Sequence, residues 1–303
     1  MKNRYVVLGF DMETDIGSYL KSYNGVQNGT GRILEILSRG GIKATFFFTG
    51  EAAEKNQTVV RDVARAGHEI GCHSLKHETV GDAHFNMPND SPILEEELQH
   101  RLELNARIVQ RLSKKKPTSF RAPRLWQGDA QVGVLEKLGF LVDASYSVAA
   151  HKAMTVPYHP SRKNWLTPGN MKLLEIPNFA FPGDNGRFRR YFGRNDQWPL
   201  LRLLGAKFVM ENIKPVVDEQ LTKAPSACLL FYLHPWEFEA MPAKYRYDEG
   251  TFHFRPELHR NCGDRMVREF TLFIQRALEA GYRFITCQDY RAIHGAEKSN
   301  DER

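Results

Sequence analysis

From Tyr5 to Asp11 the chain carries an unbroken apolar run that ends in an acid, the pattern of a strand buried on both faces. Similar runs return at Ala44–Phe48, Gly67–Cys72, Ser119–Arg121, Leu141–Ala144 and Ala227–Leu233, with shorter ones at Leu173–Ile176 and Phe284–Cys287. Between them the spacing turns helical. Thr30–Ser38 places Ile33, Leu34 and Leu37 on one side and stops at Gly40-Gly41, a helix end by its glycines. Thr58–Ala66, Ile93–Leu112, Gln131–Leu138, Asp264–Ala280 and Gln288–Ile293 read as helices too, and Glu95, Glu96 and Glu97 suit the positive end of the longest. Strands alternating with helices predict an α/β chain around a parallel sheet, closed into a barrel or left open. Residues 150–225 interrupt the alternation. Pro157, Pro160, Pro168 and Pro177 mark loops there, and Asn178–Trp198 is rich in Gly, Arg and aromatics. This stretch reads as a loop-rich insertion over one mouth of the sheet. Ala296–Arg303 reads as a polar tail, expected to fray.

Composition narrows the class without changing that picture. At 303 residues, 42% hydrophobic and 26% charged, the chain has ample core for one large domain or two small ones. No run of 18 apolar residues exists, so no membrane-spanning helix is expected. The basic start Met1–Arg4 is followed by too short an apolar stretch for a secretory signal, and the expected location is cytoplasmic unless a leader has been removed. Cys72, Cys228, Cys262 and Cys287 are scattered and read as reduced thiols, Cys72 beside His73 as a buried strand residue, with a thiolate ligand as its alternative. The net charge of +6 mildly favours an acidic substrate or an anionic surface. Lys114–Lys116, the one dense basic run, lacks interleaved aromatics, which argues against nucleic acid. Self-association into a homo-oligomer is left open.

Five strand ends carry titratable residues. His73-Ser74-Leu75-Lys76-His77 pairs two histidines four apart; on a helical turn N-capped by Ser74, both imidazoles would reach one ion. In Asp11-Met12-Glu13 the acids share one face of an extended chain, and two such charges need a cation or arginine between them. Arg121 ends a third strand and suits that purpose. Asp143 ends a fourth, where a turn-forming Asp is the plain alternative. His234 ends the very apolar Ala227–Leu233; a satisfied core histidine is its plain alternative. One shared site at the carboxyl ends of the strands explains all five together.

In order and content these stretches resemble the polysaccharide deacetylase family, the NodB-like enzymes of carbohydrate esterase family 4, from roughly Tyr5 to Ile293. The resemblance implies a distorted (β/α) barrel of about seven parallel strands, a single domain over 1–295. It implies metal ligation by His73 and His77 in an intact H-[ST]-x-x-H motif, Asp11 as base, Arg121 as its brace, His234 as catalytic histidine and Asp143 as the acid that tunes it. It implies one divalent ion, zinc first, with Co, Ni, Mn or Fe as alternatives. Three positions depart from the pattern. Met12 stands where a second Asp usually ligates the metal, so Glu13 is the first candidate ligand and Asp15 the second. Leu125 replaces the glycine of R-x-P-x-G, and Tyr146 a usual tryptophan. The shifted acid is similar to branches acting on cyclic amides or on glycans other than chitin, and His-Pro-Trp-Glu at 234–237 to a branch associated with exopolysaccharide gene sets.

The function expected is hydrolysis of a non-peptide C–N bond, N-deacetylation of a sugar or glycan precursor, with cyclic amide or imide hydrolysis as the alternative. Trp126, Tyr146 and Trp236 are candidates to line a sugar pocket, each with a core role as its alternative. The arginines of 187–194 would attract an anionic substrate, or simply form a basic surface loop. Two further classes compete: an Fe(II) oxygenase, which has no use for Asp11, Asp143 and His234 together, and a non-catalytic glycan-binding module on the same fold.

Overall fold

The computed structural model describes residues 2–81, 83, 93–181, 196–248 and 250–301. Its strands are β1 (Asn3–Met12), β2 (Thr45–Phe48), β3 (Glu69–Cys72), β4 (Ser119–Phe120), β5 (Val142–Asp143), β6 (Leu174–Glu175), β7 (Ser226–Leu233), β8 (Lys244–Tyr247), β9 (Gly250–His253) and β10 (Arg283–Ile285). Seven lie side by side and parallel in the order β7-β1-β2-β3-β4-β5-β6. β10 pairs with Tyr5–Val7 of β1, on the edge that β2 occupies from Gly9 onward. β8 and β9 form a separate antiparallel hairpin.

The sheet curls until its ends meet. Asn178, just past β6, bridges in parallel to Leu230 of β7 and to Ser147. Pro177 has no N–H to extend that seam. The Gln197 side chain makes the bonds a full strand would have made: its Nε2 donates to the Leu230 carbonyl (2.6 Å) and its Oε1 accepts from the Tyr232 N–H (3.3 Å). The architecture is the distorted (β/α) barrel expected from the sequence.

Alternation along each strand separates two cores. Val6, Leu8, Phe10 and Met12 of β1, with Leu229, Phe231 and Leu233 of β7, face the helices. Tyr5 and Val7, with Phe47, Val142, Ala144, Leu174, Ile176, Cys228 and Leu230, fill the lower barrel. On the same inward series β1 continues with Gly9, Asp11 and Glu13, and β7 with Tyr232 and His234. The interior therefore turns from apolar to ionisable toward the carboxyl ends. Cys72 lies in the outer core, where burial pushes its thiol up, as expected of a buried strand cysteine.

Two expectations need correction, and a third is not reached by the described residues. The 150–225 insertion is not loop throughout: Ala206–Lys223 is a helix burying Val209, Ile213, Val216 and Val217 despite Pro215 within it. The final helix runs Cys287–Asp301, so the tail does not begin at 296; Glu297 accepts a hydrogen bond from Ser226 at the foot of β7 (2.9 Å). The arginines of 187–194 lie outside the described residues.

Candidate active site

The loops leaving β1, β3, β4 and β7 converge above the apolar plug. Glu13, His73 and His77 each offer a ligand atom, all within 4.8 Å of one another. His77 Nε2 contacts Glu13 Oε2, and His73 Nε2 lies 3.4 Å from Asp11 Oδ2 and 3.6 Å from Glu13 Oε2. Glu13 Oε2, His73 Nε2 and Asp11 Oδ2 are buried without hydrogen bonds. Buried polar atoms carry a heavy desolvation cost unless satisfied; a divalent cation bound by two imidazoles and a carboxylate satisfies Glu13 Oε2 and His73 Nε2 and leaves Asp11 Oδ2 open. The residues fit such an ion. Asp15 is excluded as ligand by its own bonds: it accepts from Ser22 Oγ (2.7 Å), Asn24 N–H (2.9 Å) and Gly25 N–H (2.9 Å), and so shapes the loop behind Glu13.

The histidine pair does not sit on a helix. Residues 74–76 form a turn after β3, with Ser74 at φ 63° and His77 at φ 61°. Left-handed backbone at two non-glycine residues costs of order 1–2 kcal/mol each. The turn is held from outside: the Ser74 and Leu75 carbonyls accept the first N–H groups of the helix Gly50–Lys55 (3.1 and 2.9 Å), and Ser74 Oγ donates to Glu78 (3.1 Å). His73 donates Nδ1–H to the Arg121 carbonyl (2.7 Å), which turns Nε2 toward the acids.

Arg121 is fully buried at the centre of the barrel. Nη1 donates to Asp11 Oδ1 (2.9 Å) and the Gly9 carbonyl (3.2 Å), Nε to the Ala144 carbonyl (3.1 Å), and Nη2 to Asn178 Oδ1 (3.4 Å) and the Phe231 carbonyl (3.3 Å). Gly9 makes this possible: a Cβ there would stand 2.4 Å from Nη2. Leu125, in the place of the motif glycine, has φ 60°, so the chain keeps the glycine-like backbone while carrying a side chain.

Burial raises the pKa of a carboxyl, but at Glu13 His77, His73 and His234 outweigh it and hold the acid well below its usual range. Burial likewise lowers His73, and Asp11 and Glu13 reverse the shift. At His77 burial prevails over Glu13 and the imidazole is lowered.

His234 Nε2 lies 3.8 Å from Glu13 Oε1. The residue behind it is not Asp143. His234 Nδ1 faces Glu237 Oε1 (3.2 Å), which also accepts from the His234 N–H (3.0 Å) and Trp198 Nε1 (2.9 Å), while Arg202 Nε donates to Glu237 Oε2 (2.9 Å). Glu237 is thereby kept anionic: burial would raise it, but His234 and Arg202 outweigh burial. The turn Pro235–Phe238 brings Glu237 back under the histidine three residues earlier, an i to i+3 relation visible in His-Pro-Trp-Glu.

Asp143 points away from the barrel, since its neighbours Val142 and Ala144 are the inward ones. It accepts from Gln127 Nε2 (2.6 Å) and Ser145 Oγ and sits in register with Glu175 of β6. Burial raises Asp143 to about 6, and burial together with the Asp143 charge raises Glu175 well above the usual range, which favours the neutral form of Glu175. An acid raised on folding contributes its stability fully below the unfolded carboxyl value, about 4, and loses it as pH climbs through the folded one. Glu175→Gln keeps the donor and removes the loss. Its unfolding free energy in urea, relative to the native chain, is expected to rise from pH 4 to 7; a constant difference would refute the raised Glu175.

The three aromatics assigned to a sugar pocket are buried. Tyr146 packs on Tyr158 and Trp165, and its hydroxyl accepts from the Met154 N–H (3.0 Å). Trp126 is 1% exposed. Trp236, equally buried, stacks on His234 with centroids 5.1 Å apart and backs the histidine. Each offers too little surface for a sugar ring.

Residues 1–142, which hold Asp11, Glu13, both motif histidines and Arg121, match the family model described as Polysaccharide deacetylase. A peptidoglycan deacetylase-like protein of Gibberella zeae is 28% identical over 49% of this chain and 46% of its own length. A peptidoglycan-N-acetylglucosamine deacetylase of Bacillus cereus is 34% identical over 31% of this chain and 30% of its own. The similarity thus spans less than half of each relative. A Mycobacterium smegmatis structure solved under the polysaccharide deacetylase name shares the fold at TM-score 0.62 and 18% identity, covering 98% of this chain and 92% of that one. The barrel, the histidine motif and the Asp11–Arg121 pair thus stand in a chain whose first 142 residues are similar to the polysaccharide deacetylases and whose fold is shared with a solved structure bearing that name.

Proposed function

We propose that this protein is a metal-dependent hydrolase that removes the acetyl group from an N-acetylated sugar or glycan. The observation that carries the reading is the placement of a carboxylate, Asp11, held by a buried arginine at 2.9 Å and facing the Glu13–His73–His77 cluster. Glu13, His73 and His77 would hold one divalent ion, zinc by its donor set; such an ion supplies Lewis acidity toward the amide and a readily ionised water.

The side chains do the rest. Asp11 Oδ2, free of hydrogen bonds, takes the proton of the attacking water while Arg121 Nη1 holds Oδ1 at 2.9 Å and fixes the carboxylate's orientation. His234 faces the same space through Nε2, with Glu237 on Nδ1. That arrangement suits an imidazolium donating its proton to the departing amine. The relatives named for peptidoglycan deacetylation support an N-acetylated glycan as substrate.

Zinc-loaded protein is expected to release acetate from N-acetylglucosamine oligomers. His73→Ala and His77→Ala are each expected to lose bound zinc by elemental analysis, and with it acetate release. Ring opening of a cyclic imide without acetate release from any N-acetyl sugar would overturn the reading. So would tight glycan binding with no turnover.

A further inference from the structure

Every residue of β7 is buried except Tyr232. Its neighbours Phe231 and Leu233 face the helices, so Tyr232 points into the barrel on the same side as His234. Across the ladder it stands opposite Gly9, where no side chain competes for space. Its ring centroid lies 4.6 Å from that of His234 and 5.4 Å from the Arg121 guanidinium carbon. The phenol is thus wedged between the proposed proton donor and the pair that holds the proposed base. Burial, with Asp11 and Glu13 adding to it, pushes the phenol pKa well up, so the group stays a neutral donor. Among the described residues, no hydrogen bond engages its hydroxyl.

We propose that Tyr232 is a further catalytic residue, whose phenolic O–H donates a hydrogen bond to the carbonyl oxygen of the amide being hydrolysed. The proposal rests on the amide-hydrolase reading above and adds a contact to it. The phenol keeps its proton throughout. The bond strengthens as the carbonyl oxygen gains negative charge, so the contact favours the transition state over the bound substrate. A role limited to packing on Arg121 would need the ring and not the hydroxyl.

Tyr232→Phe separates the two, because it keeps the ring. In zinc-loaded protein assayed on N-acetylglucosamine oligomers, the variant is expected to lose about 10²–10³-fold in kcat, with KM, bound zinc and melting temperature little changed. Tyr232→Leu should lose at least as much. Retention of kcat within threefold in Tyr232→Phe would overturn the proposal. A second readout needs no turnover: calorimetric binding of acetohydroxamate, whose carbonyl mimics the substrate's, should weaken about tenfold in Tyr232→Phe, the equivalent of one hydrogen bond; equal affinity would overturn the contact. If the native protein released no acetate, the deacetylase reading would fall, while the calorimetry would still decide Tyr232.

Discussion

Asp11→Asn is expected to cut acetate release by roughly 10²–10⁴-fold, the usual contribution of a positioned general base, while the protein keeps its bound ion. The isosteric amide still accepts from Arg121 Nη1 through Oδ1, so the barrel centre keeps its shape, but the amide cannot take a proton from water. Glu13, His73 and His77 could hold the proposed cation without Asp11, so metal content by elemental analysis should match the native protein. The pairing of results is diagnostic. Loss of turnover with loss of metal would make Asp11 a ligand, and retained turnover would remove it from the base role altogether.

That separation between base and ligand was partly legible in the sequence. An acid ending an apolar strand marked Asp11, and the period of the strand put Glu13 on the same face. The choice between Glu13 and Asp15 needed coordinates, because Asp15 is spent on backbone N–H groups nine and ten residues away. The histidines were found by type and spacing for a geometry they do not have. A left-handed turn at Ser74 and His77 brings them together as a helical turn would, and spacing does not distinguish the two. Asp143 was assigned by motif order, and alternation corrects it: Val142 and Ala144 share the inner core, so Asp143 must face the other way. Glu237 carries a local signal, an acid three residues after the histidine and beyond a proline. Arg202, which completes that brace, is 32 residues away in sequence, counting from 202 to 234, and nothing local points to it.

The barrel itself was legible because its strands are apolar on both faces and its helices periodic. What failed was the region where prolines crowd together. Pro215 breaks the appearance of Ala206–Lys223 without breaking the helix, whose buried face packs along β7 and the helix Asp264–Glu279. The closure by Asn178 and Gln197 was also invisible, since side chains there replace backbone ladder bonds.

Arg121→Met should produce the largest loss of stability of any single change in the site, about 3–5 kcal/mol, because it leaves the partner charge of a buried ion pair uncompensated. The guanidinium serves the carbonyls of Gly9, Ala144 and Phe231 as well as Asp11 and Asn178, so its removal strips donors from β1, β7, the chain just past β5 and the seam that closes the barrel. Arg121→Lys should recover little, since one ammonium cannot match a planar fork with acceptors on several sides. The ion-pair part of the cost can be isolated. In the Asp11→Asn background the same Arg121→Met change no longer strands a carboxylate, and a double-mutant cycle by urea unfolding should show the two substitutions coupled by about 1–3 kcal/mol. Additive costs would mean that Arg121 acts on the barrel through its carbonyl contacts alone, with no net contribution from the ion pair to Asp11.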